Sequence, residues 1–462
     1  MTEQQYDLVI IGSGPGGEVG AIRAAQLGMK VALVEKNVHL GGTCLNVGCI
    51  PTKSMLESAK TWSKLGHMEK LGFKIGTPEY DWKTILERKN SVVNAQRKGL
   101  LFLMKKNGVT VHQGLGRILD AHRVEVSSSE KKEVLRTKFI LISSGSRVKD
   151  LPFAKPDGKN IHSSDTIFEI DHVPKTLAVI GGGVVGMEFA SLFGSFGCEV
   201  TVIEMLPQVL PTEDPECVNE LVKSLRKKNV KVETGAKLKG IDKASDHCMV
   251  HVEGAESRRF DKVLVSIGRA PVTEEIGLDK IGVQAQRGFI PVDAHYRTLC
   301  ESVFAIGDVL NTPALAHTAS AEAIHAVEIM AGHHPPLINY QANPSSIYTQ
   351  PEIASIGFTE PALKEKGMDY KVAKFPFAPL AKAKIEEATE GFVKILYEPK
   401  YREILGAHIV GAKATEMISE FVLGKLLEAT VDEFAQAIHP HPTLSETIME
   451  AAHVAIGGAI HL

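Results

Sequence analysis

The feature that most constrains this chain is a unit that occurs twice. YDLVIIGSGPGGEVGAIRAAQLGMKVALVEK, residues 6 to 36, aligns without a gap on KTLAVIGGGVVGMEFASLFGSFGCEVTVIEM, residues 175 to 205. Gly12 and Gly181, Gly14 and Gly183, Gly17 and Gly186, Gly28 and Gly197, and Glu35 and Glu204 each lie 169 positions apart. Each copy begins with a β-branched apolar run, passes through G-x-G-x-x-G, continues with apolar residues at helical spacing, breaks at glycine and returns to a run ending in Glu. That reads as strand, turn, helix, strand. The glycines permit a tight turn, let backbone approach a pyrophosphate and let helix pack on strand, while helix N-terminal amides hold the phosphates. Glu35 and Glu204 are placed to accept hydrogen bonds from a ribose diol. A carboxylate at 204 repels a 2′-phosphate, and Met205 and Leu206 beside it offer no arginine, so NAD is favoured over NADP.

The length of 462 residues leaves ample room for several domains and a sizeable core. Between the copies, residues 81 to 108 predict a long amphipathic helix ending at Asn-Gly, and 109 to 142 alternate like antiparallel strands. DKVLVSIGRAP, residues 261 to 271, is expected to close the second unit. Glycine turns follow short strands in FILISSGSR and CESVFAIGDV. Past about residue 340 strands mix with helices in a last domain.

The 52 basic and 55 acidic side chains give a formal charge of −3, so no nucleic-acid surface is expected. No apolar run reaches the roughly 18 residues of a membrane span, and no signal-peptide pattern opens the chain. A soluble protein of a reducing compartment, most simply a bacterial cytoplasm, is the expectation.

Six cysteines are too few for a disulfide scaffold, yet Cys44 and Cys49 stand close together in GTCLNVGCIPTK. On a regular helix, residues five apart are turned by about 140° and their Cα atoms lie about 8 to 9 Å apart. A disulfide needs roughly 7 Å or less. If the two bond, the segment must be irregular, which Asn46, Gly48 and Pro51 allow, and a strained bond would store two electrons reversibly. Two buried thiols that never meet is the plainer alternative; no metal site is expected, because no second ligand cluster lies nearby. Lys53, four residues after Cys49, is spaced to favour its thiolate. Near the other end, HPHPTLSE (439 to 446) mounts two histidines on rigid prolines, with Glu446 available to orient a general base. His439 is read as an ordinary loop residue.

With these motifs in place, nearly the whole chain resembles the flavin-dependent pyridine nucleotide disulfide oxidoreductases, most specifically through GGTCLNVGCIPTK and HPHPTLSE. Within that family it is most similar to the members that oxidise protein-bound dihydrolipoyl groups with NAD. The resemblance implies an α/β fold of two Rossmann-like domains, for FAD and NAD, plus an α+β C-terminal dimerisation domain. It divides the chain into residues 1–148 (FAD-binding), 149–271 (NAD-binding), 272–340 (central, completing the FAD site) and 341–462 (interface).

It further implies that Cys49 faces the flavin and Cys44 is the interchange thiol that meets substrate. His441 becomes the base, held by Glu446, and reaches the cysteines of the other subunit of a homodimer. FAD contacts are implied at Gly12, Gly14, Gly17, Glu35, Gly42, Thr43, Lys53, Gly116, Gly145, Asp308 and Ala316. NAD contacts are implied at Gly181, Gly183, Gly186, Glu188, Glu204 and Gly268, with Glu188 pairing Lys53. The implied partners are lipoyl-bearing subunits of 2-oxo acid dehydrogenase or glycine cleavage complexes.

Two departures touch single contacts: Ser143-Ser144-Gly145-Ser146 stands for the usual Ala-Thr-Gly-Ser, and Val272 for a common Asn. Rival readings are a reductase of glutathione, coenzyme A or a metal ion, which Glu204 disfavours where NADPH is needed; a nucleotide transhydrogenase, in which the cysteine pair is typically lost; and a noncatalytic docking subunit, which has no use for the cysteines and base.

Overall fold

The computed structural model describes residues 4–129 and 131–462. The chain forms two compact units. One takes residues up to Ser54, Lys83–Lys149 and Gly268–Ile338; the other takes Met55–Trp82, Asp150–Ile267 and Asn339–Leu462.

The first unit is built on the strand Gln4–Ile11, which pairs in parallel with Val31–Glu35 on one side and Lys132–Ile142 on the other. Leu8, Val9, Ile10, Ala32 and Leu33 are fully enclosed. A parallel sheet covered on both faces asks for such continuous apolar runs, and each Val, Leu or Ile buried in it is worth roughly 1.5–3 kcal/mol. The helix Pro15–Gln26 follows the first strand and lies against Ala316–Met330, where Gly20 lets Ala323 come close. The strand Val303–Ala305 extends the same sheet beside Lys132–Ile142, so the segment after residue 272 is part of this unit's core.

The predicted long helix runs from Trp82 to Lys106 and stops where Gly108 turns left-handed, with the Val109 amide returning to the Met104 carbonyl. Of the stretch expected to be antiparallel, Leu115–Asp120, Arg123–Ser127 and Lys132–Ile142 are so. Thr110–Gln113 is not: it pairs in parallel with Val31–Glu35. The intervening helices form the crossover that a parallel partner requires.

The second unit repeats the plan. Val230–Glu233, Glu199–Ile203, Thr176–Ile180, Lys262–Val265 and Ile161–Ser163 form a parallel sheet in that order. A three-stranded antiparallel sheet, Leu238–Lys243, Cys248–Val252 and Arg258–Phe260, stands beside it in sequence. Of DKVLVSIGRAP only Lys262–Val265 joins the parallel sheet. After Gly268, at φ +104°, Arg269–Pro271 pairs with Ser146–Val148 in the first unit.

The C-terminal segment is an antiparallel sheet ordered Ser345–Ile347, Glu352–Gly357, Ile404–Gly411, Phe392–Tyr397, Lys371–Pro376, packed with the helices Ala414–Leu426 and Glu446–Ile456. Fully buried Lys394 anchors it to the preceding segment of the same unit through Asp214 at 3.0 Å and Glu216 at 2.8 Å, and also meets Glu360. A buried charge is tolerated only when paired and hydrogen-bonded in this way.

Candidate functional site

The two fingerprints share their backbone hydrogen bonds, and the first adds one from the Ser13 hydroxyl to Glu35 at 2.6 Å. Gly12 donates its amide to the Val34 carbonyl at 2.8 Å, and Gly181 donates to Ile203 at 2.9 Å. Both glycines sit at φ +101°, where a Cβ would collide with the Ser143 or Ser266 carbonyl. Glu35 accepts from the Ser13 amide at 3.0 Å and the Asn37 amide at 2.8 Å. Glu204 accepts from the equivalent amides of Gly182 at 2.6 Å and Leu206 at 2.8 Å. Each carboxylate is thereby aimed across the end of its strand pair with lone pairs to spare for a diol.

Gly17 and Gly186 pack so closely on the Gly12 and Gly181 carbonyls that no Cβ fits. Gly14 and Gly183 differ: a Cβ there meets no protein atom within 4 Å. That open space beside a helix N-terminus is what a pyrophosphate needs. The residues present therefore fit a dinucleotide at each turn.

In the first unit the turn touches the cysteine segment. Gly41 donates to the Ser13 carbonyl at 3.0 Å and to its hydroxyl at 3.2 Å, while Gly42 abuts the backbone of Gly14. Two helices follow, Gly42–Val47 and Cys49–Leu65, broken at Gly48 (φ −126°, ψ −111°). Asn46 stabilises the break by donating to the Leu40 and Gly42 carbonyls, at 2.9 and 2.8 Å, and accepting from Arg97 at 2.7 Å. The irregularity that the spacing demands is thus present, and it brings the Cys44 and Cys49 thiols into hydrogen-bond contact. That contact, followed by burial and the charge of Glu18, pushes the Cys44 thiol far above its ordinary pKa; Lys53 acts in the opposite direction.

Thr43 accepts from Arg269 at 3.2 Å. The same guanidinium bonds the Ser146 hydroxyl and carbonyl, both at 2.7 Å, and Ser146 donates to Asp308. Asp308 and Thr43 therefore belong to one polar chain beside the cysteines. Gly145, at φ +70°, forms the preceding turn, and Ala316 begins the helix packed on the fingerprint helix. Gly116 faces Ile11 and Val34, where a Cβ would be 3.1 Å from each, so strand packing by itself favours a residue without a side chain there.

Glu188 is buried in the second unit and accepts from the Tyr348 amide at 3.0 Å. Lys53 and Gly268 lie in the first unit. Ser13, Arg269 and Glu18 escaped the sequence reading. The only signals were a serine between two fingerprint glycines, an arginine after Gly268, and an acid in the first helical turn.

The terminal histidines separate cleanly. His439 has both ring nitrogens engaged, with Glu420 at 2.9 Å and the Ala437 carbonyl at 3.0 Å, and the Glu420 hydrogen bond raises its pKa. His441 is 72% exposed and holds Glu446 through Nδ1 at 2.9 Å, leaving Nε2 outward. Burial would raise the Glu446 carboxyl, but hydrogen bonds from His441 and, at 2.8 Å, the Thr443 amide keep it below the usual range. A charged carboxylate thus orients an exposed imidazole, the arrangement of a general base.

Comparison with known proteins agrees with both halves of the chain. Residues 6–323 match the family model "Pyridine nucleotide-disulphide oxidoreductase", and residues 343–452 match that family's dimerisation domain. A dihydrolipoyl dehydrogenase of Zymomonas mobilis is 40% identical over 99% of both chains, and one of Bacillus subtilis 41% identical over 99% of both. The crystal structure of LpdA from Mycobacterium tuberculosis superposes with a TM-score of 0.92 at 27% identity, covering 97% of this chain and 99% of that one. The HOCl-induced flavoprotein disulfide reductase RclA of Escherichia coli, as its Cu(II) complex, gives 0.89 at 26% identity, covering 98% and 100%.

Proposed function

Because the chain belongs to the pyridine nucleotide-disulphide oxidoreductase family, we propose that it is a dihydrolipoyl dehydrogenase, oxidising dihydrolipoyl groups to lipoyl through Cys44 and Cys49 with NAD as acceptor. The observation that carries the reading is the pair of thiols brought together at the Gly48 break, against the first nucleotide turn. The full-length relatives narrow the dithiol to dihydrolipoyl. FAD and NAD are the cofactors, and when bound they supply the two-electron and hydride chemistry. The first turn, with Glu35, Thr43 and Asp308, holds FAD; the second, with Glu204, holds NAD.

The chain's own residues handle sulfur and protons. Starting from the Cys44–Cys49 disulfide, His441 takes the proton of one substrate thiol. The thiolate attacks Cys44, the Cys44–Cys49 bond breaks, and its electron pair goes to Cys49. The second substrate thiol attacks the first substrate sulfur, its proton passing to the Cys44 sulfur as that bond breaks, and the lipoyl disulfide closes. Glu446, held ionised, stabilises the imidazolium during the first step.

In this proposal the enzyme is a homodimer in which each His441 serves the other chain's cysteines. It acts on lipoyl-bearing subunits of 2-oxo acid dehydrogenase or glycine cleavage complexes in a bacterial cytoplasm. The test is NADH formation from NAD and dihydrolipoamide by the purified holoenzyme, beside NADPH oxidation with glutathione disulfide. Rapid NAD reduction with a silent parallel reaction is expected. The reverse pattern leaves only the family-level assignment.

A further inference from the structure

Cys44 opens into a cavity of about 420 Å³. Pro15 and Glu18 wall one side, Cys44 and Leu45 another, and Leu100 and Phe102 of the long helix a third. Among the lining residues only Glu18 and Cys44 titrate. The remainder of the wall is apolar apart from Gln96, so the space suits an aliphatic dithiol and offers an incoming anion no cation.

Glu18 projects from the first turn of the fingerprint helix, and its carboxyl takes part in no hydrogen bond or ion pair among the described residues. Two arginines on the helices that wall the cavity have partners elsewhere. Arg23 on its own helix is paired with Glu328, and Arg97 on the long helix is bonded to Asn46 and Asn94. Besides Glu18, the groups that act on Cys44 are Cys49 and Lys53 of the following helix.

We propose that Glu18 is a specificity-determining residue of this pocket, placing a negative charge beside Cys44 that favours uncharged dithiols over anionic ones. The proposal rests on the reading above, in which Cys44 is the thiol that meets substrate. It deepens that reading by naming the class: dithiols without a free carboxylate, as an amide-linked dihydrolipoyl group is, in preference to those carrying one. Burial alone pushes the Glu18 carboxyl up to about 7. Its raised pKa means that the charge is absent well below neutrality and present above it, so discrimination against anions grows as pH rises.

The test is alkylation of Cys44 in the dithiothreitol-reduced holoenzyme by neutral iodoacetamide and anionic iodoacetate, with the label assigned by peptide mapping. In both reactions the thiolate attacks the methylene carbon and iodide leaves, so the ratio of the two rates cancels the thiolate fraction. In the wild type that ratio is expected to climb about fivefold between about pH 6 and about pH 8.5, the scale of one like charge at short range in a partly solvated site. Glu18→Gln should keep only the shallower slope contributed by the other titrating groups, including the base brought by a second copy. A flat wild-type ratio overturns the proposal without any variant, as do superimposable profiles for wild type and E18Q.

The preference for dihydrolipoamide over dihydrolipoate, as a ratio of kcat/KM, should narrow in E18Q by less than the alkylation ratio does, because the dihydrolipoate carboxylate is four methylenes from its nearer sulfur. The two readings fail separately. A Glu18-dependent alkylation ratio in an enzyme that leaves dihydrolipoamide untouched sinks the substrate assignment alone. Turnover of dihydrolipoamide with an alkylation ratio indifferent to Glu18 sinks the charge selection alone.

Discussion

At the scale of single residues, His439 and His441 are distinguished by their hydrogen bonds, not by their place in the sequence. Both follow the same H-P pattern, and both meet a glutamate at 2.9 Å. His439 spends its second nitrogen on the Ala437 carbonyl, and its side chain is almost wholly covered. His441 keeps its second nitrogen for solvent or substrate. Replacing His441 by Gln should therefore slow reduction of the enzyme by dihydrolipoamide by roughly 10²-fold or more. The flavin absorbance should be unchanged, because the His441 side chain is largely exposed. Stopped-flow reduction of the variant measures this, and a near-normal rate removes His441 from the role. HPHPTLSE was legible as a mount for a base, with His439 read as an ordinary loop residue; the role of His441 came from the family resemblance. Glu18 was not legible at all, since an acid in a first helical turn is ordinary and only the tertiary fold places it on the wall beside Cys44.

At the scale of elements, the decisive object is the break between the helices Gly42–Val47 and Cys49–Leu65. The five-residue spacing predicted an irregularity, and glycine and asparagine marked where it would lie. The partners that stabilise it come from far along the chain, Arg97 from the long helix and Ser13 from the fingerprint, so the sequence did not reveal them. A Cβ at Gly48 would stand 3.0 Å from the Thr43 carbonyl oxygen and 3.3 Å from the Cys44 Cα. Gly48→Ala should push the two helices apart at a cost of roughly 1–3 kcal/mol, and the thiols with them. Its cysteine pair should then reoxidise more slowly after reduction, as read by counting titratable thiols with time in the denatured protein. Reoxidation at the wild-type rate would mean that the break tolerates a side chain and that the thiol contact has another origin. The parallel strand Thr110–Gln113 is the contrasting case: period-two alternation announced a strand but carried no information about its direction.

At the scale of the whole molecule, the duplication made two nucleotide-binding sheets legible from glycines and one glutamate per copy, because the same local constraints recur 169 residues apart. What a single sequence does not carry is which segments share a core: the antiparallel C-terminal sheet is joined to the second nucleotide fold through Lys394, a lysine in an otherwise apolar strand whose carboxylates come from two other segments. The C-terminal segment also carries exposed apolar side chains, Leu423, Leu426, Leu427 and the almost fully exposed Ile438, close in sequence to the proposed base. A second copy covering this face would bury them and bring its own His441 to the cysteines, the arrangement proposed above. That arrangement makes a prediction no single-chain site shares. A Cys44→Ser dimer and a His441→Gln dimer are each nearly inactive; unfolded together and reassembled with FAD, they yield mixed dimers in half of the population. Each mixed dimer pairs one intact cysteine segment with an intact base from its neighbour, while its other site lacks both. Random reassortment should then restore about a quarter of the wild-type rate of dihydrolipoamide oxidation, since half the dimers carry one working site of two. If the base served the cysteines of its own chain, no mixed dimer would hold a complete site, and the mixture would stay as inactive as its parents.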